Sequence, residues 1–293
     1  MDTGIFRPAE RFARAVREDP LEMLIELRER VAEHAENRAK RKHGRGFMPW
    51  PPCPYEEDLS WEADLHTLMN APWPCPETAR FNALWAEVME RFASAGTTLG
   101  RGAFAGWGDG EPGFVRSVWC ITRHLRPAKV VETGVARGLT SRLILEALEA
   151  NGSGRLWSID RPPPGRPELH DQIGAAVPAA LRSRWSYLRG SSRRRLPALL
   201  ERLGEIDLFV HDSKHSERNL LHELERARLA VRPGGFLAAD DVDLNCGFHR
   251  YVSMHARDRA LICPAEPLEA DPGRQNDRGI FAIVARAAVS GTS

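Results

Sequence analysis

The stretch Val130–Ser141, VVETGVARGLTS, decides the fold. β-Branched residues run into an acid, the acid into a Gly-x-x-x-Gly turn, and the turn into a helical pattern. A strand, tight turn and helix in that order point backbone N–H groups and a helix N-terminus at the mouth of a crevice. Gly134 lets the backbone turn tightly and approach a ligand, and Gly138 lets the helix begin close to the strand. Glu132, at the strand tip, directs an acceptor into the crevice. An anion there disfavours a dinucleotide pyrophosphate and suits a ligand that carries positive charge. Thr140 and Ser141 open the helix and belong to the same candidate cofactor set. Alone, the motif also fits a tight turn that binds nothing.

A second strand, Leu156–Asp160 (LWSID), ends on a carboxylate that can accept both hydroxyl protons of a ribose. From Lys129 onward, strand and helix alternate. Strand-like pieces fall at Val130–Glu132, Leu156–Asp160, Trp185–Leu188, Ile206–Asp212, Gly235–Asp240, Ala260–Cys263 and Ile280–Val284. Helical patterns fall at Thr140–Ala150, Leu196–Leu203 and Glu217–Val231. This alternation predicts an α/β fold, a parallel sheet with helices on both faces and ligands at the carboxyl ends of the strands. The last two strands lack a helical crossover, with the polar Asp271–Arg278 between them, so the final strand is expected to run antiparallel.

Further candidates sit at strand ends. Arg189-Gly190-Ser191-Ser192 follows the third strand, where Ser191 and Ser192 can meet an adenine edge. The fourth and fifth strands end in His211-Asp212-Ser213-Lys214-His215 and Asp240-Asp241. Asp212, Asp240 and Asp241 can converge as hard oxygen ligands for Mg²⁺ or a similar divalent cation. Alternatively, such acids merely cap helices. His215, three residues beyond Asp212, is a candidate general base for an acceptor hydroxyl. His211 has the opposite parity on its strand and is expected to face the packing of the sheet.

These residues together resemble the class I S-adenosylmethionine-dependent methyltransferases. His211–Asn219 (HDSKHSERN) and the segment to Val242 resemble the O-methyltransferase branch, which includes catechol and macrocin O-methyltransferases and cephalosporin-hydroxylase-related methyltransferases. The resemblance covers roughly Glu111 to Arg286. It implies a Rossmann-like seven-stranded sheet with the last strand reversed. S-Adenosylmethionine would lie across the first two strand ends, contacting Glu132, Gly134, Gly138, Thr140, Ser141, Asp160, Ser191, Ser192 and Asp212. A cation, where present, would sit on Asp212, Asp240 and Asp241. Ala136 stands where many members have glycine, a change tolerated if φ stays negative there. Ser213-Lys214 replaces the usual Gly-Asp, removing one metal ligand and adding a cation. The implied reaction is O-methylation of a small-molecule hydroxyl, on a sugar or secondary metabolite. Two other readings are an NAD(P)-linked oxidoreductase, which would want Gly-x-Gly-x-x-Gly, and a non-catalytic binding protein on the same fold.

Upstream, residues 1–110 read as a helical, proline-rich extension and 111–293 as the catalytic domain. Asp19-Pro20-Leu21-Glu22 combines an N-cap acid, a first-turn proline and a capping-box-like Glu. Leu21, Leu24, Ile25, Leu27 and Val31 then form an apolar stripe for the catalytic domain or for a second subunit, making a homodimer one expectation. PWPPCP at Pro49–Pro54 and PWPCP at Pro72–Pro76 are rigid loops around Trp61–Met69. Helices follow at Glu77–Ala95 and Glu111–His124. Gly100–Gly110, around Trp107, suggests a lid.

Bulk properties narrow the partners. In 293 residues, 41 Lys and Arg face 40 Asp and Glu, a net charge of +1. This balance gives no global reason to bind nucleic acid or an anionic membrane, and no Asn/Asp-Pro-Pro-aromatic motif appears. The basic runs Arg38–Arg45 and Arg189–Arg195 read as solvated faces or helix ends. Five cysteines (Cys53, Cys75, Cys120, Cys246, Cys263) without C-x-x-C spacing read as free thiols, neither a disulfide frame nor a zinc site. The N-terminus lacks an apolar signal core and no run is long enough to span a bilayer, which points to the cytoplasm.

Overall fold

Val130 and Val131 are both fully buried, yet they pack into two different cores on opposite faces of one sheet. The period-2 pleat of a strand buried on both sides has this consequence. The computed structural model describes residues 8–43, 53–100, 103–104, 109–161, 166–266 and 279–287. Seven strands form the sheet: β1 (Lys129–Thr133), β2 (Arg155–Asp160), β3 (Trp185–Arg189), β4 (Ile206–His211), β5 (Val231–Ala239), β6 (Arg259–Pro264) and β7 (Ile280–Ala285). Their order is β3-β2-β1-β4-β5-β7-β6. The first five pair in parallel, whereas β7 runs antiparallel to both β5 and β6. The expected α/β sheet with a reversed last strand is therefore present.

One face is covered by α5 (Pro112–Leu125) and α6 (Leu139–Asn151), with α3 (Trp61–Leu68) beside them on β6 and β7, where Trp61 meets Phe281, and α4 (Thr78–Ser94) packed outside. Phe81, Val88 and Phe92 of α4 enter this core as their helical spacing predicts. The other face carries α7 (Ser192–Leu203), α8 (Glu217–Ala230) and α9 (Gly247–Met254), anchored by Leu196, Leu220, Phe248 and Tyr251. The short α9 is missing from the sequence reading. With eight residues, it carries too few turns for periodicity to register.

The extension adds α1 (Pro8–Glu18) and α2 (Pro20–His43). Asp19 caps α2 as expected, its Oδ1 accepting from the Glu22 N–H at 3.1 Å. The apolar stripe is largely left outside: Leu21, Leu24, Leu27 and Val31 are exposed and Ile25 is half-buried. The acidic face of α2 docks instead. Glu22 meets Arg194, Glu26 meets Arg161 at 2.8 Å, and Glu29 meets Arg193 and Arg218. The run Arg189–Arg195 is thus no solvated face. Three arginines in the first turn of α7 oppose its dipole, and the Glu22 carboxylate supplies the anion which that helix end wants.

The cysteine expectation also needs correction. Cys53 and Cys246 form a disulfide with Cα atoms 5.6 Å apart, across 193 residues of sequence. Spacing rules see only local pairs, so a bond between the proline-rich segment and the start of α9 is invisible to them. Cys75, Cys120 and Cys263 are free and buried. No helix among the described residues is long and apolar enough to cross a membrane. Trp50, Trp107, Pro162–Pro164 and Asp271–Arg278 lie outside the described residues.

Candidate active site

The chain moves outward from β1 through β2 to β3, then returns to the other side of β1 for β4 and β5. The switch point between β1 and β4 opens a crevice at the carboxyl ends of the strands. Register places the candidate acids along its rim. Glu132 lies level with Ser158 on β2 and Val210 on β4. The amide of Asp212 donates to the Thr133 carbonyl at 2.8 Å, and that of Asp240 to the His211 carbonyl at 3.0 Å. Gly134 makes this closeness possible. At φ +87° its missing side chain leaves room for the Asp212 carbonyl, which a Cβ would meet at 1.7 Å. Gly138, at φ +84°, begins α6 against Gly174, whose Cα would stand 2.9 Å from a Cβ.

Ala136 departs from the expectation that φ stays negative. Its φ is +45°. Its amide donates to Asp160 Oδ2 at 2.9 Å and its carbonyl accepts from Gly174 N–H at 2.9 Å, so both ends of the residue are fixed. The turn needs its amides more than it needs a relaxed residue.

Glu132 is fully buried. Oε2 accepts from the hydroxyls of Ser141 and Ser158, each at 2.6 Å, while Oε1 has no partner. Burial pushes its carboxyl up to about 7, against the lowering effect of the two serines. Ser141 therefore reaches the site through Glu132. Thr140 is buried where Gly110 packs against it. Asp160 accepts from the amides of Val135, Ala136 and Arg161, and burial still raises its carboxyl. These three donors fill both sites on Oδ2 and one on Oδ1, leaving about one lone-pair site on Oδ1 for a hydroxyl.

Across the crevice, His215 Nε2 lies 3.9 Å from Asp212 Oδ1 and 3.8 Å from Asp241 Oδ2. Burial holds the imidazole below its ordinary value, so it is a neutral base at pH 7. Burial, then the neighbouring carboxylates, push Asp212 and Asp240 well above the usual range. Asp212, Asp240 and Asp241 thus share one electrostatic neighbourhood. Their oxygens do not gather within 4.8 Å of one another; among the described residues only His66, Cys75 and Cys120 do so. The oxygen donors and their mutual repulsion suit a hard cation, but the ligand set would have to tighten. His211 faces the packing as its parity predicts, with Nδ1 2.6 Å from Glu223 Oε2 in the core.

The serines after β3 behave differently from expectation. Ser192 Oγ turns toward Asn219 and Glu223 on α8, into the polar core network and not toward a cofactor edge. Ser191 keeps a buried, unpartnered hydroxyl, but its amide already donates to Glu22 Oε1 at 2.9 Å. Glu22 reaches the rim of the site from the extension, which sequence reasoning missed. Its signal was the Glu22, Glu26, Glu29 spacing on one helix face. Arg137, inside the glycine turn, was missed too. It pairs with buried Asp109 at 2.9 Å and donates to the Thr98 and Ala103 carbonyls. The described part of the expected lid is therefore tied to the turn.

A doubly wound sheet of this order, reversed at its last strand, has the Rossmann-like methyltransferase fold. Residues 131–242 match the family model described as a methyltransferase domain. A putative O-methyltransferase from Klebsiella pneumoniae is 17% identical, with TM-score 0.50, over 78% of this chain and 98% of its own. An O-methyltransferase from Bacillus cereus in complex with SAH is 15% identical, with TM-score 0.49, over 78% and 98%. TomG of Streptomyces achromogenes, an O-methyltransferase involved in tomaymycin synthesis and solved with SAM, is 14% identical, with TM-score 0.49, over 70% and 90%. No curated protein matches by sequence.

Proposed function

We propose that this protein transfers the methyl group of S-adenosylmethionine to a hydroxyl of a small molecule, a sugar or secondary metabolite. The observation that carries the reading is Glu132 Oε1, a buried acceptor without a partner at the switch point. A buried unpaired carboxylate oxygen is costly unless a donor arrives. The ammonium of a methionyl group is such a donor. Asp160 would take a ribose hydroxyl on its remaining Oδ1 site at the neighbouring strand end.

When bound, S-adenosylmethionine supplies a methyl group already activated by its sulfonium. The chain's own residues then have to align the acceptor and remove its proton. Positioning of reactants is worth roughly 7–11 kcal/mol in favourable cases. Neutral His215, between Asp212 and Asp241, supports the role of general base. A divalent cation on Asp212, Asp240 and Asp241 would lower the charge repulsion among them and stabilise an alkoxide. Self-association through the exposed stripe of α2 belongs to the same proposal, and light scattering that finds only monomer ends that part.

Thermal shift tests the donor. S-Adenosylhomocysteine should raise the melting temperature and NADPH should not; the reverse result favours an oxidoreductase. Asp160→Ala should weaken S-adenosylhomocysteine by about 10–100-fold, equivalent to roughly 1.5–3 kcal/mol for hydrogen bonds to a charged group. Unchanged affinity removes Asp160 from the ribose role. Activity lost on chelation and restored by Mg²⁺ alone supports the cation, whereas full activity without any divalent ion excludes it.

A further inference from the structure

We infer that His66, Cys75 and Cys120, closed by His124, form a structural zinc site on the face of α5 remote from the sheet. The four residues come from three places: His66 from the last turn of α3, Cys75 from the proline-rich loop, and Cys120 and His124 from α5. Cys120 and His124 are four residues apart, so one helix face presents both. One ligand atom from each of His66, Cys75 and Cys120 lies within 4.8 Å of the others, and all three residues are buried.

The distances fit a tetrahedral ion. Zn–S bonds of about 2.3 Å at the tetrahedral angle separate two sulfurs by about 3.8 Å. Cys75 Sγ and Cys120 Sγ are 3.8 Å apart, far beyond the roughly 2 Å of a disulfide. His124 Nε2 stands 3.3 Å from Cys75 Sγ, near the edge of about 3.5 Å that one sulfur and one nitrogen ligand would make. The His66 and His124 rings are 5.2 Å apart.

His66 supplies a separate observation. It is 1% exposed, and its Nδ1 lies 2.6 Å from the Glu62 carbonyl. That contact fixes the proton on Nδ1 and leaves the Nε2 lone pair aimed inward, the tautomer seen in metal-bound histidines. Nε2 has no partner. Two thiols and two imidazoles are a soft donor set that favours zinc over the hard cations suited to Asp212 and Asp240. With four protein ligands the site would be closed, hence structural, tying the proline-rich loop to α3 and α5.

The test uses the full chain with its Cys53–Cys246 disulfide intact, stripped with a chelator under inert gas without reductant and reloaded with zinc sulfate. Elemental analysis should find one zinc per chain, and removal of the metal should lower the melting temperature. Cobalt(II) in its place should show thiolate charge-transfer and tetrahedral ligand-field bands. Cys75→Ser/Cys120→Ser should lose the ion while circular dichroism keeps the helical signal. Asp212→Asn/Asp240→Asn should retain it, which separates this site from any cation at the active site. Should the double serine variant not fold, the cobalt spectrum of the wild type decides. Reloaded wild type without zinc, a cobalt spectrum without thiolate bands, or a Cys75–Cys120 disulfide in protein kept under inert gas overturns the site.

Discussion

Glu132 concentrates the chemistry of the site in one side chain. Burial holds its carboxyl up at about 7, from an ordinary 4.5. The folded state therefore binds a proton more tightly than the unfolded chain. The associated stability, of order 3 kcal/mol, is full below pH 4.5 and lost as pH rises through 7. An ammonium beside Oε1 reverses that penalty by favouring the ionised form. S-Adenosylhomocysteine should therefore bind more tightly as pH rises from about 6 to 8, by up to tenfold per unit below the carboxyl's own value. Glu132→Gln should abolish the dependence in calorimetric titrations; a flat wild-type profile removes Glu132 from contact with the ligand. Ala136 carries a left-handed backbone at φ +45°, a conformation costing a side chain about 1–2 kcal/mol. Ala136→Gly should raise the denaturant midpoint, by up to about 1 kcal/mol in stability. Gly134→Ala should unfold the turn, because its Cβ collides with the Asp212 carbonyl.

At the scale of elements, Glu223 on α8 joins three pieces of the fold. Its carboxylate meets His211 of β4 and accepts from Thr133 of β1, from Ser213 beyond β4, and from Asn219 one turn earlier on α8. Burial alone would raise its carboxyl, but His211 and the hydroxyl donors outweigh burial and bring it down to about 2. The group's contribution is present above about pH 4.5 and lost as pH falls toward 2. Glu223→Ala strands His211 and several donors in the core and should cost about 3–5 kcal/mol in denaturant unfolding. A loss below 1 kcal/mol would mean that water replaces the carboxylate. The network also fixes the start of the segment that carries Asp212 and His215, so stability and the rim of the candidate site share these residues.

Over the whole molecule, the extension clasps the carboxyl-terminal edge of the sheet by charge. Glu22 is 4% exposed and accepts from the Ser191 amide, the backbone group that begins α7. Hydrogen bonds to a charged group contribute about 1.5–3 kcal/mol, so Glu22→Ala should release α2 by about that amount. Limited proteolysis should then cut within residues 8–43 faster, and high salt should accelerate cleavage of the wild type by screening the same pairs. Equal protection in both proteins would place the holding force elsewhere.

The sequence by itself determined the sheet, the reversed last strand and the acids at the strand tips. These follow from local rules: period-2 runs bury on both faces, a glycine turn follows the first strand, and strand ends expose whatever residue comes next. The places of Glu132, Asp160, Asp212 and His215 at or just beyond strand ends were legible for that reason. Only the tertiary structure decided what meets across long separations. It turned the acidic face of α2 inward and left the leucines outside, because the arginines at the start of α7 needed anions. It joined Cys53 to Cys246, drew Ser192 into the core network, and gathered His66, Cys75, Cys120 and His124 from three segments. No periodicity encodes such meetings: they depend on where elements pack, and packing is a property of the folded chain.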